Sequence, residues 1–144
     1  MKRLLYTTFV VLSFLILNNV HISACTCVSL GEALEKTMKW QVKESDAIFS
    51  GKVLSIVEQD VIRNVTLRVD EVWKGDLTDE VLVTTDILSS CSFNFKRDTS
   101  YLIFAKSFEG TLSPLSCFYS GELSNRGEVL TALGKGKIPE KKKP

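Results

Sequence analysis

Four cysteines and one histidine carry most of the chemistry this sequence could perform. Cys25 and Cys27 stand one residue apart near the beginning, while Cys91 and Cys117 lie far downstream. Thiolates can hold zinc, accept a lipid or oxidise to disulfides. A zinc site made of four thiolates ordinarily shows paired C-x-x-C spacing, which this chain lacks, so oxidation to two disulfides is the expected state in an oxidising compartment. Four cysteines allow three pairings. In an extended segment Cys25 and Cys27 would point to opposite faces, so a bridge between them would strain the backbone, and each is expected to reach a distant partner.

The histidine, His21, falls in a segment expected to be removed on export. Without it the mature chain cannot assemble a Ser-His-Asp triad, a Cys-His pair or a histidine-ligated zinc site. Acidic residues are plentiful, but none stands in a recognisable catalytic pair, and they read as solvated surface charge. The chain is therefore not expected to be an enzyme, to carry a cofactor or to hold a metal of its own. A competing modification sits at the same cysteine. Ile22-Ser23-Ala24-Cys25 also fits a bacterial lipobox, in which the Cys25 thiol would be alkylated and the protein tethered to the envelope. Lipidation and a disulfide at Cys25 exclude one another.

The segment 1–24 reads as a signal peptide. Lys2 and Arg3 supply a positive start, Leu4 to Leu17 is an apolar run broken by Thr7, Thr8 and Ser13, and small Ala24 precedes Cys25. The apolar run is shorter than the roughly 20 residues a spanning helix needs, and no later segment is apolar for long enough, so no membrane span is expected. Secretion follows, with a bacterial envelope lipoprotein as the alternative location. The remaining chain suits one domain, 25–134, followed by a basic, disordered tail at 135–144. Lys2 and Arg3 leave with the signal, so 18 basic residues become 16 against 17 acidic ones. That balance gives no reason to expect nucleic acid as a partner.

The elements that must position the cysteines are mostly strands. Ser29-Leu30-Gly31-Glu32 fits a capping box, and Ala33, Leu34, Met38 and Val42 mark one apolar face of a helix from Leu30 to Glu44. Trp40 lies off that stripe. Strands are expected at Ala47 to Val57 with a bend or bulge at Gly51, and at Val61 to Val69, where apolar and polar residues alternate. Lys74-Gly75-Asp76 reads as a turn. Glu80 to Thr85, Tyr101 to Lys106 and Thr111 to Tyr119 supply three more strands, with Glu109-Gly110 as a hairpin turn. Ser124 would cap a short helix through Leu133, closed by Gly134. Asn64-Val65-Thr66 is a glycosylation acceptor on the polar face of the second strand, relevant in a eukaryote. The expected fold is mainly β: a small, closed or partly closed five-stranded β-barrel with flanking helices, tied by two disulfides, for which an OB-fold-like arrangement is one solution.

The order of these segments resembles a family. Cys25-Thr26-Cys27-Val28 directly after a signal peptide is similar to the start of the N-terminal, netrin-like domain of the tissue inhibitors of metalloproteinases. The likeness continues through Ser45 to Val53, Glu71-Val72-Trp73-Lys74-Gly75, Cys91-Ser92-Phe93, Tyr101 to Lys106, Gly110-Thr111-Leu112 and Ser116-Cys117. The pattern matches short, single-domain relatives. The resemblance implies an OB-type barrel with Cys25 bonded to Cys91 and Cys27 to Cys117. It further implies a secreted metalloenzyme inhibitor whose partner is a zinc metalloprotease. The Cys25 α-amino nitrogen and carbonyl oxygen would chelate the protease's zinc. Thr26 would enter the adjoining specificity pocket, and Cys27, Val28, Ser89 and Ser90 would complete the contact strip beside Cys91. The other reading keeps the barrel as a binding module without inhibitory activity, secreted or lipid-anchored. Trp40 and Trp73 would be its only large anchors, though both read first as packing residues.

Overall fold

A computed structural model of the chain describes Cys27 and residues 33–141. Helix α1 spans Leu34–Glu44. It begins later than its apolar pattern suggests because Ala33, at φ −55° and ψ 144°, is extended, and it supplies no side-chain cap. The capping box at Ser29–Glu32 lies outside the described residues. At the other end Ser45 closes the helix twice, its amide and its hydroxyl both donating to the Gln41 carbonyl, at 3.0 and 2.8 Å.

β1 (Ala47–Gln59) and β2 (Ile62–Lys74) form a long antiparallel hairpin. Its turn places Asp60 at φ 53°, the left-handed region that Asp tolerates better than most residues. The register slips between Ser50 and Gly51, so Gly51 marks a bulge. A Cβ there would lie 2.6 Å from the Arg68 carbonyl oxygen, which explains why glycine occupies the bend. β3 (Glu80–Asp86) runs antiparallel to β2. β4 (Ser100–Phe108) pairs with β1 and, through a turn with Glu109 at φ 50° and Gly110 at φ 81°, with β5 (Thr111–Pro114). One parallel pair, Val83 with Leu112, joins β3 to β5. The hydrogen-bonded order β1-β2-β3-β5-β4 thus returns to β1, making a ring of five strands, and the two-residue β6 (Gly121–Glu122) extends β4.

Three further sequence expectations change, besides the start of α1. The last long strand, expected to reach Tyr119, stops at Pro114. Leu115 still donates to the Phe104 carbonyl at 2.8 Å, but the chain then turns, with Phe118 N–H bonding to the Leu115 carbonyl at 3.1 Å. Ser124 does not cap the last helix. It sits in a 3₁₀ turn (Leu123–Asn125), and α2 (Gly127–Leu133) starts after Arg126 without a side-chain cap. The helix does end at Gly134, whose φ of 71° suits glycine. Finally, the basic end is tied down through much of its length rather than frayed. Lys137 exchanges both backbone hydrogen bonds with Val72, at 2.8 and 2.7 Å, and Asp79 N–H donates to the Glu140 carbonyl at 2.8 Å.

Side-chain alternation sorts the core into two layers. Phe49, Val53, Val65, Leu67, Val83, Tyr101 and Ile103 fill the ring. Ile48, Leu102 and Phe104 point the other way, beneath Met38 of α1 and Val129 of α2. β4 is therefore buried on both faces, and its continuous apolar run Tyr101 to Ala105 reflects that position. Among the described residues no helix is long and apolar enough to cross a membrane.

Candidate functional site

The cysteines meet at one rim of the ring. Cys27 and Cys117 form a disulfide with Cα atoms 5.1 Å apart, joining positions 90 residues apart in sequence. Both cysteines are exposed. The neighbouring residue Ser116 donates its hydroxyl to the Cys91 carbonyl, which sets the turn carrying Cys117 against the loop carrying Cys91. No described cysteine is free. Cys25, Thr26 and Val28 lie outside the described residues, as does the Cys25 half of the bridge expected to Cys91.

Two sets of contacts hold this rim. The turn at residues 116–119 is positioned by α1. Gln41 is buried, and its side-chain oxygen accepts the Tyr119 N–H at 2.8 Å. Trp40, one helix position earlier, packs its ring 5.1 Å from that of Phe118, which also meets the Phe104 ring at 6.3 Å. Ser120, buried next in line, accepts the Phe104 N–H at 2.9 Å through its hydroxyl. The turn is fastened to helix and sheet at successive residues, so the disulfide it carries projects from a fixed base.

The facing loop, between β3 and β4, is held at both ends. At its start Leu88 N–H donates to Asp86 Oδ1 at 2.6 Å, and Ile87 N–H to the Val61 carbonyl at 2.9 Å. Ser89 then organises a tight turn: its hydroxyl accepts the Cys91 N–H at 3.1 Å and its carbonyl accepts the Ser92 N–H at 3.0 Å. Beyond Cys91, the Phe93 and Phe95 rings pack tilted against each other at 4.7 Å and edge-on against Tyr101 at 5.7 and 5.1 Å. The Tyr101 hydroxyl accepts the Lys96 N–H at 2.9 Å. The Lys96 ammonium donates to Glu122 Oε1 at 2.8 Å, and this hydrogen bond raises its pKa above the ordinary lysine value. An aromatic plug thus anchors the loop while Ser89, Ser90 and Cys91 remain exposed.

Several of the residues singled out from sequence are therefore brought together: Cys27, Cys117 and Cys91, with Ser89 and Ser90 on the same loop. Asn64 is not among them. It sits within β2, opposite Val57 and Thr84, and its side-chain oxygen accepts the Thr84 hydroxyl at 2.9 Å. Trp73 is also elsewhere, its indole N–H donating to the Gly134 carbonyl at 2.8 Å. The residues that sequence reading passed over are Gln41 and Ser120, and Ser116 stood there only as the neighbour of Cys117. Only Gln41 left a trace, as a polar residue beside the Met38 and Val42 stripe. Among the described residues no three His, Cys, Asp or Glu side chains are grouped to hold a metal ion. No family model matches this chain, and none of the curated proteins matches it in sequence.

Proposed function

We propose that the protein is a secreted, single-domain inhibitor of zinc metalloproteases, similar to the tissue inhibitors of metalloproteinases, acting through the amine and carbonyl of Cys25. The observation that carries this reading is the rim geometry. A disulfide fixes Cys27, two residues after the proposed new terminus, and Ser116 holds that disulfide's turn against the Ser89–Cys91 loop. A bridge from Cys25 to Cys91 would add a second tie at the same place. The strand ring, with its single parallel seam, supports the finer reading of an OB-type barrel.

The chemistry follows from the open coordination position of a catalytic zinc. A terminal amine beside its own carbonyl offers a five-membered chelate that would displace the water the enzyme needs. Ordering a free chain end would ordinarily consume binding energy; a terminus already tied to a rigid rim avoids much of that loss. The amine must be unprotonated, and an ordinary α-amino group has a pKa of about 8. Binding therefore releases a proton, and inhibition weakens as the pH falls.

The test is to acetylate the terminus of the purified mature protein, or to place one extra residue ahead of Cys25, and assay a panel of zinc metalloproteases. Either change is expected to abolish inhibition. Equal inhibition before and after would overturn the chelation mechanism. Intact mass belongs beside it: two disulfides without added lipid fit the inhibitor, whereas a diacylglyceryl mass on Cys25 fits the envelope-anchored alternative.

A further inference from the structure

The side of α1 that carries Glu35, Met38, Lys39 and Val42 borders an open groove of about 680 Å³, enclosed further by α2 and the segment after it. Met38, Val42, Trp73 and Leu133 form its apolar lining. Three lysines, Lys39, Lys135 and Lys137, stand on the same lining, against the single carboxylate of Glu35, which is already paired to Lys39 at 2.7 Å.

The strap bearing Lys135 and Lys137 is fixed in place. Lys137 is bonded to Val72 in both directions, Gly136 N–H donates to Glu71 Oε1 at 2.9 Å, and the Gly134 carbonyl receives the Trp73 indole. A side chain at Gly136 would meet Glu71 and the Val72 carbonyl at 2.7 and 2.9 Å, so the strap lies directly on β2. Its two lysines are therefore presented at a set distance from the apolar lining.

We infer that this groove docks an acidic, amphipathic peptide segment of a partner protein. Apolar side chains would enter between Met38, Val42, Trp73 and Leu133, and flanking carboxylates would meet Lys135 and Lys137. Charge complementarity selects an acidic partner, and the apolar lining gives its neighbouring side chains a place to be buried. A sulfated polysaccharide would use the lysines but leave that lining unfilled. A free fatty acid needs most of its chain enclosed, which an open groove does not provide, whereas a peptide brings its own cover. The site does not depend on the inhibitor reading, because it uses Met38 and Val42 of α1 rather than Trp40 and Gln41.

The experiment is a titration of the ¹⁵N-labelled chain with a synthetic peptide of Glu and Asp residues flanking a central Leu and Phe, following the two tryptophan indole N–H signals. The Trp73 signal is expected to shift and saturate while that of Trp40 stays in place. Binding should weaken about tenfold in the chain carrying Lys135→Ala and Lys137→Ala, and fall with added salt in the unaltered chain. Both lysines are exposed, so the substitutions leave the core intact, and the salt series provides an independent reading. A matched peptide with Lys in place of every acid should not bind. Equal binding of that peptide, unchanged affinity of the double variant, or a Trp73 shift produced by heparin or decanoate and not by the acidic peptide would overturn the assignment.

Discussion

Gln41 illustrates how much a single polar side chain can decide when it is buried. Its oxygen is the acceptor for the Tyr119 amide, two residues beyond Cys117. Gln41→Leu keeps a comparable volume and removes that acceptor from a half-buried amide, so it should cost about 1 kcal/mol, the lower end of the penalty for an unpaired donor. Urea unfolding checks the magnitude, and faster reduction of the Cys27–Cys117 bridge would show that the turn has loosened. Asp46 makes a different case. Its carboxylate accepts the Ser107 N–H at 2.8 Å and lies 3.5 Å from the Lys106 ammonium. The Ser107 amide is the main reason its pKa is lowered, helped by Lys106 and Lys74 and opposed by partial burial. Because the folded pKa lies below the unfolded one, the contribution is complete above the ordinary carboxylate range and is lost as the pH falls through it toward the folded value. Asp46→Ala should therefore lower the melting temperature at neutral pH, and the difference from the unaltered protein should narrow in acid.

At the scale of elements, the segment after α2 is the clearest departure from what its composition suggests. Lysine-rich ends usually fray, yet this one adds backbone hydrogen bonds to the far end of β2 and to Asp79. Truncation after Gly134 removes these pairs and uncovers Val72. The expected cost is about 1–2 kcal/mol, with faster amide exchange at Val72 in the shortened chain than in the full one. Unchanged exchange would mean the strap only rests on the sheet. The same segment completes the lysine-rimmed groove, so truncation should also abolish binding of the acidic peptide. Strand positions were legible in the sequence because alternation is local: Val65, Leu67 and Val69 point inward with polar neighbours between them, and Gly51 marks the bulge. The failures fell where distant contacts decide. The segment at residues 115–119 looked like more strand, but Gln41 and Ser120 secure it as a turn.

Across the whole molecule, the Cys27–Cys117 bridge joins the region before α1 to the turn after β5. A loop of that length restricts the unfolded chain strongly, and chain-entropy estimates give about 4.6 kcal/mol for the bridge, before any strain reduces it. Replacing both cysteines by serine should lower the denaturation midpoint correspondingly while leaving the ring's strand signature in circular dichroism. Under the inhibitor reading the same variant should inhibit more weakly, because Cys27 no longer fixes the segment beside the terminus and only the expected Cys25–Cys91 bridge holds it. Retained inhibition would separate the bridge's stabilising role from any role in presenting Cys25.

Composition and spacing by themselves determined a mainly β chain with an even set of cysteines and no histidine beyond His21. They also marked the glycines at the bulge, the hairpin and the helix end. Those properties depend on neighbours in sequence, where side-chain period and backbone freedom act directly. The closing of five strands into a ring through Val83 and Leu112, the burial of β4 on both faces and the docking of the basic strap required tertiary structure. So did the meeting of Ser116 with Cys91, on which the candidate site rests. Each is a contact between segments far apart in the chain, and its formation depends on how whole faces pack, a quantity that no local pattern encodes.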